Sequence, residues 1–280
     1  MGTTRVRGRR RQMARRLRTL RARAGMSLEE VSKKMEWSSS KLGRWESGEH
    51  LTEIHGLKSL LDIYGVTADR WEEYFELSRA ARQPGWWRSY GLDNKGYVPL
   101  EADASLVKDF TLCYVPGLLQ TADYARALFR SSGDRRSAER LKRDVTVRMI
   151  RQKRLTSEAD PLELIAIMDE SALYRPIGGP DVMAEQLAHL VEAAALDTVT
   201  LQVLPMSVGA HPSMASVFTV LSFGDLGEPD IWFVEHTMGS TQSEKADGVA
   251  RATLKFDRLR SDALGPDDSV ALIRKAAERY

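Results

Sequence analysis

Four side chains in the first fifth of the chain, Ser39, Ser40, Lys41 and Arg44, carry hydroxyl, ammonium and guanidinium groups able to hydrogen-bond base edges and phosphates. Their spacing puts them on the outer face of a short helix. Ser38 precedes it as an N-cap, Leu42 and Trp45 face inward, and Gly48 can supply the left-handed cap at its end. Upstream, Ser27 and Glu30 have the spacing of a capping box, and Leu28, Val31 and Met35 form the inner face of another short helix. The turn around Glu36 and Trp37 joins the two. Two short capped helices with a tight turn between them make a helix-turn-helix, whose second helix fits the major groove of double-stranded DNA. Arg44 is the side chain best suited to bidentate contact with a guanine.

These elements need a scaffold, and the flanking sequence provides one. Met13, Leu17, Leu20 and Ala24 form one apolar stripe on an otherwise Arg-rich helix that Gly25 ends. Ile54, Leu57, Leu60, Leu61 and Tyr64 line a fourth helix, and Trp71, Tyr74, Phe75 and Ser78 a fifth, with Gly65 between them. The net charge of +2 hides an asymmetry: residues 1–44 hold 14 Lys and Arg against 3 Asp and Glu, and the other 236 residues hold 27 against 36. A basic head of this kind, running from Arg5 to Arg23 and including Arg15 and Arg16, attracts phosphates through counterion release.

The expected fold is therefore an all-α N-terminal helix-turn-helix domain of five helices over residues 1–82, an aromatic linker over 83–97, and a mixed α/β domain over 98–280. Periodicity in the last part predicts helices near 100–112, 121–130, 136–153, 181–196, 243–261 and 267–278. Short apolar runs predict strands near 162–168, 199–204, 216–222 and 230–235.

The phrase Ser-x-Ser-Lys-Leu-x-Arg-x-Glu-x-Gly from Ser38 to Gly48 resembles the Xre (Cro/repressor) family of helix-turn-helix regulators. That resemblance implies that Ser39, Ser40, Lys41 and Arg44 contact bases and that Arg21 and Glu46 form a structural ion pair between the first and third helices. Where the family often has a phosphate-binding Gln at the start of helix two, this chain has Leu28, so phosphate contact falls to Ser27, Lys33 and the first helix. Further along, Val115-Pro116-Gly117-Leu118-Leu119-Gln120-Thr121, Asp169-Glu170-Ser171-Ala172-Leu173, Pro176-Ile177-Gly178-Gly179-Pro180 and Gly209-Ala210-His211-Pro212 are similar to the WhiJ-like, antitoxin-like regulators of filamentous actinobacteria. In those, an Xre head is fused to a C-terminal domain without settled chemistry, often beside a gene for a small partner protein. Thr111 and Cys113 stand where a Glu and a Gln are more usual.

Catalytic signatures are absent: no His-x-x-x-His, Cys-x-x-Cys, phosphate-binding Gly-Lys loop or Gly-x-Ser-x-Gly occurs, and Cys113 is the only cysteine. The expectation is a non-enzymatic, cytoplasmic regulator with no cofactor, no metal and no membrane contact, a homodimer on DNA whose C-terminal domain senses a small ligand or partner protein. Trp86, Trp87, His211 and His236 are the candidate residues for that sensing, and a toxin-sequestering module or a DNA-targeted hydrolase using His211 or His236 are the alternatives.

Overall fold

The structure is a computed structural model. It describes residues 6–51, 53–93, 96–133, 136–224, 228–236 and 238–280, with side chains from Arg9 onward. Arg5 of the basic run and linker residues Asn94 and Lys95 lie outside the described residues. The chain divides into two compact units, one of residues 3–95 with 223–228, the other of residues 96–222 with 229–280.

The first unit is helical: α1 (Val6–Arg23), α2 (Leu28–Lys34), α3 (Ser39–Glu46), α4 (Ile54–Ile63) and α5 (Trp71–Arg82). Met13, Leu17, Val31, Leu42, Leu57, Leu60 and Leu61 meet in one buried cluster, so the stripes of four helices share a core. Helix ends follow local chemistry. After α1 and α4, Gly25 and Gly65 adopt positive φ, and paired backbone bonds (Met26 N–H to the Arg21 carbonyl, Val66 N–H to that of Leu61) close the last turns. The same closure follows α2, where the Trp37 N–H reaches the Ser32 carbonyl and the Glu36 N–H that of Lys33. Here the left-handed residue is Glu36 at φ 53°, the one non-glycine residue with positive φ among those described.

The second unit is a six-stranded sheet in the order β3-β2-β1-β4-β5-β6, where β1 is Leu106–Thr111, β2 Glu163–Asp169, β3 Val199–Leu204, β4 Phe218–Ser222, β5 Ile231–His236 and β6 Gly239–Ser243. β1, β2 and β3 run parallel, and β4 joins the other edge of β1 antiparallel, with Asp109 opposite Thr219 and Phe110 opposite Phe218. Its helices are α6 (Tyr97–Asp103), α7 (Ala122–Ser131), α8 (Ala138–Gln152), α9 (Pro180–Ala193), α10 (Ala246–Asp262) and α11 (Pro266–Ala277). Phe256 and Leu259 of α10 pack with Phe110, Ile167 and Phe218 on one face of the sheet. The opposite face carries Asp109, Thr219 and Phe233, because side chains alternate along a strand.

Two sequence expectations are corrected. The helix predicted near 100–112 ends at Asp103, and residues 106–111 form the central strand β1. Leu106, Val107 and Phe110 fit either period, and pairing on both edges of β1 decides for strand. β6 was not expected because Gly-Ser-Thr-Gln-Ser contains no apolar residue; it is an exposed edge strand held by backbone pairing to β5.

Candidate nucleic-acid interface

The helix-turn-helix is built from side chains that satisfy backbone ends. The Ser27 hydroxyl accepts the Glu30 N–H at 3.2 Å while the Glu30 carboxylate accepts the Ser27 N–H at 2.7 Å. Those hydrogen bonds to the charged form hold the Glu30 carboxyl below its usual range. Ser38 accepts the Lys41 N–H in the same way and starts α3. Beneath α3, Trp45 is buried and meets Trp37 edge to face at 4.2 Å between ring centroids. Gly56 of α4 lies against both rings; a Cβ there would sit 2.7 Å from Trp45 and 2.8 Å from Trp37.

Arg21 fixes the orientation of α3 relative to α1. Its guanidinium donates to both oxygens of the buried Glu46 carboxylate, at 2.8 and 2.9 Å, and to the Met26 carbonyl at 3.0 Å. Hydrogen bonding to Glu46 raises the Arg21 pKa further above an already high value. The buried Tyr64 hydroxyl, which has no hydrogen-bond partner among the described residues, is pushed up by burial and by nearby Glu46.

Ser39, Ser40, Lys41 and Arg44 are all exposed, while Leu42, Trp45 and Glu46 of the same helix are buried. Arg44 makes no ion pair among the described residues, whereas the Lys41 ammonium rests 4.1 Å from the centre of the Trp37 ring. Ser27 and Lys33 are exposed too. The two arginines singled out on α1 are less available. Arg15 lies 3.0 Å from Glu228, and Arg16 pairs with Glu73 at 3.7 Å and lies over the Tyr74 ring. Arg18 and Arg23 of the same helix are exposed. Sequence spacing alone does not reveal this, because the acidic partners stand 57 and 213 positions away in the chain.

Of the four residues considered for ligand or partner sensing, Trp86 and Trp87 belong to the first unit and His211 and His236 to the second. Trp87 is fully buried and its indole lies against the Cα of Gly85, so it is a packing residue with no surface for a ligand. Trp86 stacks edge-on with Trp87 and Tyr90. His211 meets the Phe110 ring at 5.7 Å and accepts the Ser213 N–H, while His236 is exposed and accepts the Met238 N–H in the β5–β6 turn. Among the described residues, no group of three or more His, Cys, Asp or Glu is placed to hold a metal ion, and no helix is long and apolar enough to cross a membrane.

Residues 12–73 match the helix-turn-helix domain family, which supports DNA binding by this part of the chain. Residues 95–275 match the DUF5753 family, described as a domain of unknown function, and the chain belongs to it. No curated protein and no solved structure matches the chain.

Proposed function

We propose that the protein is a sequence-specific transcriptional regulator of the Xre, WhiJ-like type, which docks α3 in the major groove and reads bases with Ser39, Ser40 and Arg44. The observation that carries this reading is an exposed polar face on α3 whose one guanidinium has no ion-pair partner among the described residues. An unpaired, planar five-donor group at the surface is matched to the two acceptors of a guanine edge. Lys41, held over Trp37, reaches phosphate or base from a fixed starting point. Ser27, Lys33, Arg18 and Arg23 supply phosphate contacts, and Arg15 and Arg16 contribute only when they give up Glu228 and Glu73. Two copies bind paired half-sites, as one small helical head covers too few bases to be selective alone. The second unit senses a small ligand and biases DNA binding.

Selection of bound duplexes from a randomised pool by the full-length protein tests this. Enrichment of one sequence with two related half-sites about one helical turn apart is expected; recovery of an unenriched pool contradicts it.

A further inference from the structure

The strand order places a topological switch beside β1. The chain proceeds from β1 outward through β2 and β3, then crosses to the other side of β1 with β4. β4 begins beside the carboxyl end of β1, and the crevice outside the carboxyl ends of the parallel strands is where open α/β sheets hold ligands. A cavity of about 360 Å³ occupies that place, between the end of β1, the start of β4, the end of β5, and helices α7 and α8. Its size lies within the range of small-molecule sites, roughly 300–1,000 Å³.

Two of the three arginines that line this cavity have carboxylate partners. Arg151 is committed to Glu101 by two hydrogen bonds of 2.6 and 2.5 Å, and Arg136 lies 3.5 Å from Asp144. Arg148, which lines the cavity, makes no hydrogen bond or ion pair among the described residues, and its Nε is buried and unsatisfied. Its guanidinium packs over the Phe129 ring, 5.1 Å from the centroid, and against the backbone at Gly117, where any Cβ would collide with Nη1. Burial and the neighbouring Arg151 lower its pKa to about 10, so it remains a cation at neutral pH. The carboxylates of Glu101 and Glu235 oppose that shift without bonding to the guanidinium. A guanidinium at a cavity wall with free donors is suited to a bidentate anionic group on a ligand.

Other lining groups are of a different character. The Asp109 carboxylate accepts the Thr219 hydroxyl at 2.8 Å, Tyr97 meets Phe233 at 5.1 Å between ring centroids, and Glu235 adds a second carboxylate. The cavity therefore offers a cation, aromatic faces and acceptors.

We infer that this cavity binds a small organic anion, whose carboxylate or phosphate pairs with Arg148 while a hydroxyl or amino group on its body donates to Asp109. The inference rests on the sensing role proposed above and supplies its ligand class and site. Gly117, within the Pro-Gly-Leu-Leu-Gln-Thr phrase, admits the guanidinium, and the phrase is pinned in place: Gln120 donates to the Val115 carbonyl and Tyr124 accepts the Val115 N–H.

The test titrates the full-length protein by calorimetry with 4-hydroxybenzoate and phenyl phosphate, with uncharged 4-hydroxybenzamide as the control. Saturable binding of at least one anion, at least tenfold tighter than the amide, is expected, with a loss of tenfold or more in Arg148→Met and in Gly117→Ala. Without ligand, Arg148→Met should melt no lower than wild type, a result a purely structural arginine would not give. Binding of neither anion, equal binding of the amide, or unchanged affinity in Arg148→Met would each overturn the inference. The sensing role is read separately, from operator affinity with and without the bound anion. Anion binding with unchanged operator affinity supports the site and contradicts the sensing role alone.

Discussion

The outer face of α3 and the cavity beside β1 treat positive charge in opposite ways. On α3, Arg44 stands in solvent with no ion-pair partner among the described residues, where an unpaired guanidinium costs almost nothing. In the sheet-containing unit, Arg151 and Arg154 are engaged by carboxylate and carbonyl oxygens, while Arg148 makes no hydrogen bond or ion pair among the described residues and its Nε is buried. Open charge suits a large polyanion that brings its own desolvation with it; enclosed charge suits a ligand small enough to be surrounded. The difference teaches which arginines hold the fold and which are available for binding, something that composition alone hides.

Removing the exposed arginine of α3 and a buried, engaged arginine of the sheet-containing unit is the strongest way to sharpen the contrast. Arg154 donates to the carbonyls of Glu101, Ala102 and Ala104 and pairs with Asp160 at 3.2 Å. Arg154→Met should cost about 3–5 kcal/mol in urea unfolding, whereas Arg44→Ala should stay within about 0.5 kcal/mol of wild type. Equal effects would erase the distinction.

Asp109 gives the cavity region a pH signature. Burial raises its carboxyl from 3.8 to about 6, against the opposing Thr219 hydrogen bond. With the folded value above the unfolded one, its contribution to stability is complete below about pH 4 and is lost as pH rises through about 6. Asp109→Asn should remove that decline and raise stability at pH 7.5 by something on the order of 2 kcal/mol. Parallel pH–stability curves for the two proteins would contradict the assignment.

Two smaller effects probe the support of α3. Gly56→Ala drives a methyl into the Trp37–Trp45 pair and should destabilise by about 1–3 kcal/mol, read by chemical denaturation; a neutral outcome would show that the pair does not hold α3. Glu36→Gly should instead stabilise by about 0.5–1 kcal/mol, since glycine adopts φ 53° without the cost a side chain incurs. A loss of stability there would mean that the Glu36 side chain contributes more than its backbone strain costs.

The helical head was almost entirely legible in the sequence because its determinants are local. Ser27 with Glu30, Ser38 with the Lys41 N–H, and Gly25 and Gly65 act within a few positions of one another. Strands β2 to β5 were visible as short apolar runs, but β1 was hidden because its identity is set by partners 57 to 116 positions away. Trp87 gave no sign of being fully buried, and the pairing of Arg15 and Arg16 depends on contacts that no spacing rule captures. The cavity was invisible for the same reason: Asp109, Gly117, Arg148 and Thr219 come together only through the sheet order. The one local trace was the phrase from Val115 to Thr121, whose glycine turns out to admit a guanidinium.

The account stands on the α3 face as the surface that reads sequence. Its most direct test is the ratio of affinities for a selected duplex and a scrambled one, measured by fluorescence anisotropy at two salt concentrations for wild type and Arg44→Ala. A drop in that ratio equivalent to about 1–3 kcal/mol, with weaker change on scrambled DNA, is the predicted result. An unchanged ratio would contradict it.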